Sequence, residues 1–185
     1  MAMAARWAMI MPIEADRLRL TQLLSPAFPI GAFAHSQGLE AAIAARQVTD
    51  ESSLRDWVEA VILHGSGRMD AIFLTAARAT DADLPALADL ARAYMPSQGR
   101  AREADELGRA FGTQIAAITG EEPPLLPLPL AAGVATRKLA IGDAEVLALW
   151  LQGLAAQLIS VAVRFVPLGQ SAGQRVLAGL GPLIV

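Results

Sequence analysis

His35 and Ser36 are the closest this chain comes to a general base beside a nucleophile. Hydrolysis through such a pair needs the hydroxyl within hydrogen-bond reach of the imidazole, and sequence neighbours rarely face one another. The strained Gly-x-Ser-x-Gly turn that presents a nucleophilic serine is missing, because the chain reads Ala34-His35-Ser36-Gln37-Gly38. The plainer reading makes Ser36 a helix N-cap and His35 a surface imidazole. His64 is the only other histidine and there is no cysteine. No paired-ligand spacing for a metal follows, and no disulfide framework. His64 closes an apolar helical face and reads as a boundary histidine. Gly65-Ser66-Gly67 has no preceding strand and no phosphate-binding lysine after it, and Lys138 is the sole lysine of the chain. Nucleotide hydrolysis therefore has no support.

Two polar patterns remain. Arg102 stands three and four residues before Asp105 and Glu106, a spacing that gives weak ion pairs on a solvated helix face or a patch that docks a partner. Gln157, Ser160 and Arg164 recur at helical spacing inside an apolar run. Buried polar groups need partners, so this stripe marks an interior channel, a subunit interface or an ordinary solvent-facing edge. Trp57, Trp150, Met69 and Met95 fall at helical spacing and read as core.

The elements that must position these residues are almost all helical. Alanine and leucine dominate, and no alternating strand pattern persists. Helices are expected over 16–24, 37–46, 51–64 with a bend at Gly65-Ser66-Gly67 and a continuation from Asp70 to Arg78, 83–94, 97–119, 130–140, 142–166 and 170–180. Asp50 and Ser97 supply starts, Pro85 is tolerated in a first turn, and Pro167-Leu168-Gly169 supplies a stop. The fold class is all-α, a bundle of about eight helices. A single domain over 16–185 is expected behind a flexible leader, 1–15. Between helices, residues 25–36 hold Pro26, Pro29 and Gly31, which make a stiff, shaped loop.

Of the 185 residues 54% are hydrophobic and 18% charged, and mean hydropathy is +0.42. That apolar excess implies a protein partner or a membrane. A net charge of −3 argues against nucleic acid. Val146–Val163 carries no charge over a length that could span a bilayer, but Gln152, Gln157 and Ser160 interrupt it and no basic cluster anchors it. It reads as a buried helix of a cytoplasmic protein.

Residues 25–40, Ser-Pro-Ala-Phe-Pro-Ile-Gly-Ala-Phe-Ala-His-Ser-Gln-Gly-Leu-Glu, resemble the N-terminal signature of the urease accessory protein UreF family, Ser-Pro-x-x-Pro-x-Gly-x-Phe-x-x-Ser-x-Gly-Leu-Glu. Further blocks follow in order. Asp70 matches a recurring aspartate. Arg102-Glu103 with Gly108 resembles a central Arg-Glu…Gly element. The run from Arg164 to Gln174 is similar to a C-terminal Arg-x-x-x-Leu-Gly-Gln-x-x-Gly-Gln signature. The resemblance covers roughly residues 18–183. It departs at His35, where many members carry tyrosine, and at Gln37, where many carry histidine. Leu128-Pro129-Leu130-Ala131-Ala132-Gly133 lacks the histidine that often precedes the last glycine, so no metal role carries over there. The chain also ends at Val185, short of a tail that helps several relatives bind partners.

The resemblance implies a UreF-like, non-enzymatic assembly factor that forms a homodimer. It would bind UreD (UreH in some organisms), recruit the GTPase UreG and dock on apo-urease during nickel insertion. No cofactor and no resident metal are implied; nickel would be cargo in transit, with a passing contact at His35 left open. Partner contact or backbone shaping is expected of Ser25, Pro26, Pro29, Gly31, Phe33, His35, Ser36, Gly38 and Glu40. The same is expected of Asp70, Arg102 and Glu103, and of Arg164, Gly169 and Gln170. Glu40, Asp70 and Gln170 would be polar contacts, whereas Pro29, Gly31 and Gly169 would shape the backbone. The alternatives are a helical adaptor of another complex and a membrane-associated helical protein.

Overall fold

Proline and glycine mark most of the breaks between helices. A computed structural model describes residues 2–32 and 35–185, with residues 2–12 described by backbone alone. The regular elements are α1 (Ala2–Leu23), α2 (Leu39–Ala44), α3 (Glu51–His64), α4 (Ser66–Arg78), α5 (Leu84–Tyr94), α6 (Gln98–Thr119), α7 (Leu128–Thr136), α8 (Asp143–Phe165) and α9 (Gln170–Ile184). Among the described residues there is no strand, and the all-α expectation holds. The described residues form nine helices, in line with the expected bundle of about eight; Gly65, at φ −105° and ψ −147°, ends α3 and starts α4 where a bend is expected. α1 begins at Ala2 and not at Asp16, since the alanine- and methionine-rich start favours helix.

The starts are chemical. Asp50 Oδ1 accepts from the Ser53 amide at 2.9 Å while Ser53 Oγ accepts from the Asp50 amide at 3.1 Å, a reciprocal cap for α3. Asp83 caps α5 through the Ala86 amide, with Pro85 in the first turn. Ser97 caps α6 through the Arg100 amide. Each satisfies a donor that a helix start leaves without an intrahelical partner.

Two cores share one long helix. Leu20, Phe73, Leu74, Phe111, Leu130 and Val146 belong to a core built from α1, α4, α5, α6, α7 and the start of α8. Leu39, Leu54, Val58, Leu158, Val176 and Leu180 belong to a second, built from α2, α3, α9 and the rest of α8. α8 is long and apolar enough to cross a membrane by length and composition. Its Val146, Leu154, Ala155, Leu158, Ile159, Val161 and Ala162 are instead buried as the common wall of both cores.

Two contacts fix the packing. A Cβ on Gly108 of α6 would stand 1.9 Å from the Leu126 carbonyl oxygen, so only glycine lets the 121–127 connector cross α6 there. Arg78, at the end of α4, donates to the carbonyls of Thr136 and Ile141 at 2.7 Å each and to Asp143 Oδ1 at 2.6 Å. One guanidinium thereby ties the ends of α4 and α7 to the start of α8.

Candidate functional site

The loop from Ser25 to Gly38 folds over a cavity of about 760 Å³. Its shape begins with a tight turn in which the Phe28 amide donates to the Ser25 carbonyl at 2.9 Å and the Ala27 amide to Ser25 Oγ at 3.1 Å. That turn sends the Phe28 ring inward, where it meets Phe111 of α6 at a centroid distance of 5.2 Å. Pro26 and Pro29 stay exposed. Gly31 takes φ +79°, as its type suggested.

Three helices hold the second half of the loop. Gln157 of α8 donates its side-chain amide to the Ala32 carbonyl and, at 3.1 Å, to that of His35. Ser66, in the first turn of α4, donates its hydroxyl to Gln37 Oε1. Glu103 of α6 places Oε2 3.4 Å from His35 Nδ1 and also binds the Arg100 guanidinium. The loop is therefore fastened at Ala32, His35 and Gln37 by side chains from elements distant in sequence.

The expected N-cap at Ser36 is overturned. Gln37 and Gly38 take φ +52° and +88°, and the Ser36 carbonyl accepts from the Leu39 amide at 3.0 Å in a turn that precedes α2. Gly38 becomes the N-cap residue and no side chain caps α2. Arg102 does not pair with Asp105 either. Asp105 is taken by Arg92 of α5, at 3.0 Å, because the carboxylate faces the adjoining helix while Arg102 faces solvent.

Asp70 lines the cavity wall, half-buried, with no hydrogen bond or ion pair among the described residues. Burial raises its carboxyl pKa to about 7; the Arg100 charge opposes this and the Glu103 charge adds to it. Ser25, Pro26, His35, Ser36, Gly38 and Glu103 line the same cavity. Phe33 lies outside the described residues. Pro29, Gly31, Glu40 and Arg102 are off the cavity wall, and Glu40 stands exposed on the first turn of α2.

Arg164, Gly169 and Gln170 also lie away from the cavity, exposed at the turn between α8 and α9. Gly169 takes φ +74° there. Arg164 is two helical turns beyond Gln157, roughly 10 Å along the axis. The polar stripe thus divides: Gln157 works inside, whereas Ser160 and Arg164 are exposed. Sequence reasoning gave Arg100, Tyr94, Gln37 and Ser66 no place at this site. Among the described residues, no group of three or more His, Asp or Glu could hold a metal ion.

The family model for UreF matches residues 48–181. The chain belongs to the UreF family. It is 54% identical over 173 residues to the urease accessory protein UreF of Cereibacter sphaeroides (strain KD131 / KCTC 12085), covering 93% of this chain and 81% of that protein. It is 48% identical over 172 residues to the UreF of Paracoccus denitrificans (strain Pd 1222), covering 93% and 80%. For the UreF of Jannaschia sp. (strain CCS1) identity is 44% over 163 residues, covering 88% and 74%. As a UreF protein the chain is a urease accessory factor and not an enzyme. The loop at 25–40 precedes the segment matched by the family model, yet it is the loop that gathers side chains from α4, α6 and α8.

Proposed function

We propose that this UreF-family chain is a chaperone subunit of urease maturation that bridges UreD and the GTPase UreG on apo-urease, with nickel as the cargo. The reading is supported by the family together with one observation: a loop with exposed prolines is fastened by Gln157, Ser66 and Glu103. A loop held rigid in this way loses little entropy on docking. It would form one partner surface with the exposed Glu40 beside it. The turn carrying Gly169 and Gln170, at the far end of α8, would form another. A homodimer in the cytoplasm completes the reading and gives the apolar excess a place to be buried.

The test is size-exclusion chromatography with light scattering on the chain alone, then with UreD, then with UreG as well. The reading requires a dimer that forms a stoichiometric complex with UreD and takes up UreG only when UreD is present. A monomer that ignores both proteins would refute it and leave an adaptor of some other complex.

A further inference from the structure

The charges around the cavity do not balance. Arg100 is hydrogen-bonded to Glu103 and these two cancel. His35 also leans on Glu103, at 3.4 Å. Asp70 is left without an ion pair or hydrogen bond among the described residues. A carboxylate in such a place is costly unless a cation or donor reaches it. The remaining walls are largely apolar, and Phe73, Tyr94, Phe111 and Trp150 are among the residues lining the space. Tyr94 is 63% exposed, so this wall reaches solvent. A volume of about 760 Å³ lies within the range of small-molecule sites, roughly 300–1,000 Å³.

We propose that this cavity binds a small organic cation, an ammonium or guanidinium on an apolar stem, with Asp70 as its counter-ion and the aromatic rings around its stem. The chemistry selects for all three features. An anion would meet Asp70 and Glu103, with the one nearby guanidinium already engaged. A neutral apolar guest would strip water from Asp70 and return nothing. A cation near an aromatic face gains from the ring quadrupole as well as from the carboxylate.

The carboxylate form is the one that binds, so uptake of the cation releases a proton wherever Asp70 is protonated. With the Asp70 carboxyl near 7, affinity rises with pH through the neutral range and levels off above it. The other titratable or charged groups lining the space are Arg100 and Glu103 from α6, His35 from the loop, His64 from α3 and Tyr94 from α5. α8 faces it with the neutral Gln157.

The experiment is isothermal titration calorimetry on the full chain with phenethylammonium and, as neutral isostere, 2-phenylethanol, between pH 5.5 and 8.5. No partner protein is present, so the result is independent of the maturation reading. The expected result is one-to-one binding of the ammonium, at least about tenfold tighter than the alcohol at the highest pH. Asp70→Asn should remove that preference. The carboxamide has the size of the protonated carboxyl, and a melting curve confirms that the variant folds. Equal affinity for the two probes in the unaltered chain overturns the proposal without recourse to any variant. So does an Asp70→Asn variant that keeps the preference, or the absence of saturable binding up to about 10 mM.

Discussion

The side-chain amide nitrogen of Gln157 lies 3.1 Å from the carbonyl oxygen of His35, 122 residues earlier in the chain. The same nitrogen donates to Ala32, so one residue in the middle of α8 closes the loop that folds over the cavity. Removing the donor leaves the partly buried His35 carbonyl without a partner among the described residues and the Ala32 carbonyl with the His35 amide alone. Gln157→Leu is expected to lower stability by about 1–2 kcal/mol and to speed amide hydrogen exchange at residues 35–38 more than in α3 or α9. Exchange mass spectrometry on the two proteins checks this; an unchanged loop would mean that Ser66 and Glu103 suffice to hold it.

The Arg78 staple gives a sharper stability test. Its side chain is 9% exposed and serves two carbonyls and one carboxylate, whereas Asp143 is 54% exposed. Arg78→Lys keeps the charge but loses the planar fork that reaches three acceptors. It should cost about 2–3 kcal/mol in urea denaturation, while Asp143→Asn should cost less than about 1 kcal/mol. Equal costs would show that the ion pair matters and the carbonyl contacts do not.

Much of the fold is legible because its boundaries rest on local chemistry. Asp50, Asp83 and Ser97 act as caps where their types suggest, and Pro167 follows the end of α8, whereas Gly65 ends α3 where the spacing suggests only a bend. The site is less legible because it depends on which way helices face. Arg102 and Glu103 are one motif in sequence, yet successive positions on a helix diverge by about 100°. Glu103 enters the cavity and Arg102 meets solvent. Asp105 found Arg92 and not Arg102 for the same reason, since a partner across a helix interface is invisible to i,i+4 spacing. Ser36 has the composition of an N-cap, but the left-handed pair Gln37-Gly38 starts the helix two residues later. Arg78 sits in the last turn of an amphipathic helix, where nothing in its spacing distinguishes it from a surface arginine.

Gly108 tests close packing directly. Its absent Cβ would stand 1.9 Å from the Leu126 oxygen and 2.9 Å from the Leu128 nitrogen, both backbone atoms. Gly108→Ala must push the 121–127 connector away from α6, and a loss of about 3 kcal/mol or more is expected. Gly142→Ala is the control. Its φ is −69° and nothing lies within 4 Å of the added atom, so the gain in unfolded-state order and the loss of a glycine N-cap oppose one another and stability should change by less than about 1 kcal/mol. Thermal melts of both variants decide whether space or helix propensity governs.

Asp70 links stability to pH. Its carboxyl holds a proton more tightly in the folded chain, near 7, than an ordinary aspartate does. The stability tied to that proton is fully present below about pH 4 and is lost as pH rises through 7. Asp70→Asn cannot lose it. The variant should therefore match the unaltered chain near pH 3.5, gain on it as pH rises from about 4 to 7, and exceed it by about 2–4 kcal/mol at pH 8.5. A stability difference that is the same at both pH values would show that Asp70 has an ordinary pKa.

Glu40 separates partner capture from folding. It is exposed on the first turn of α2 and makes no ion pair among the described residues. Glu40→Ala also raises helix propensity slightly, while losing a favourable acidic group near a helix start. These effects are small and opposed, so stability should stay within about 0.5 kcal/mol of the unaltered chain. If the loop and α2 form the partner surface, the same variant should weaken capture of UreD by about fivefold or more in a pull-down titration. Normal capture would move the interface to the far end of α8, where Gln170→Ala is the matching variant. Loss of capture accompanied by a fall in melting temperature would mean that Glu40 supports the fold, and the assignment of this surface to a partner would be withdrawn.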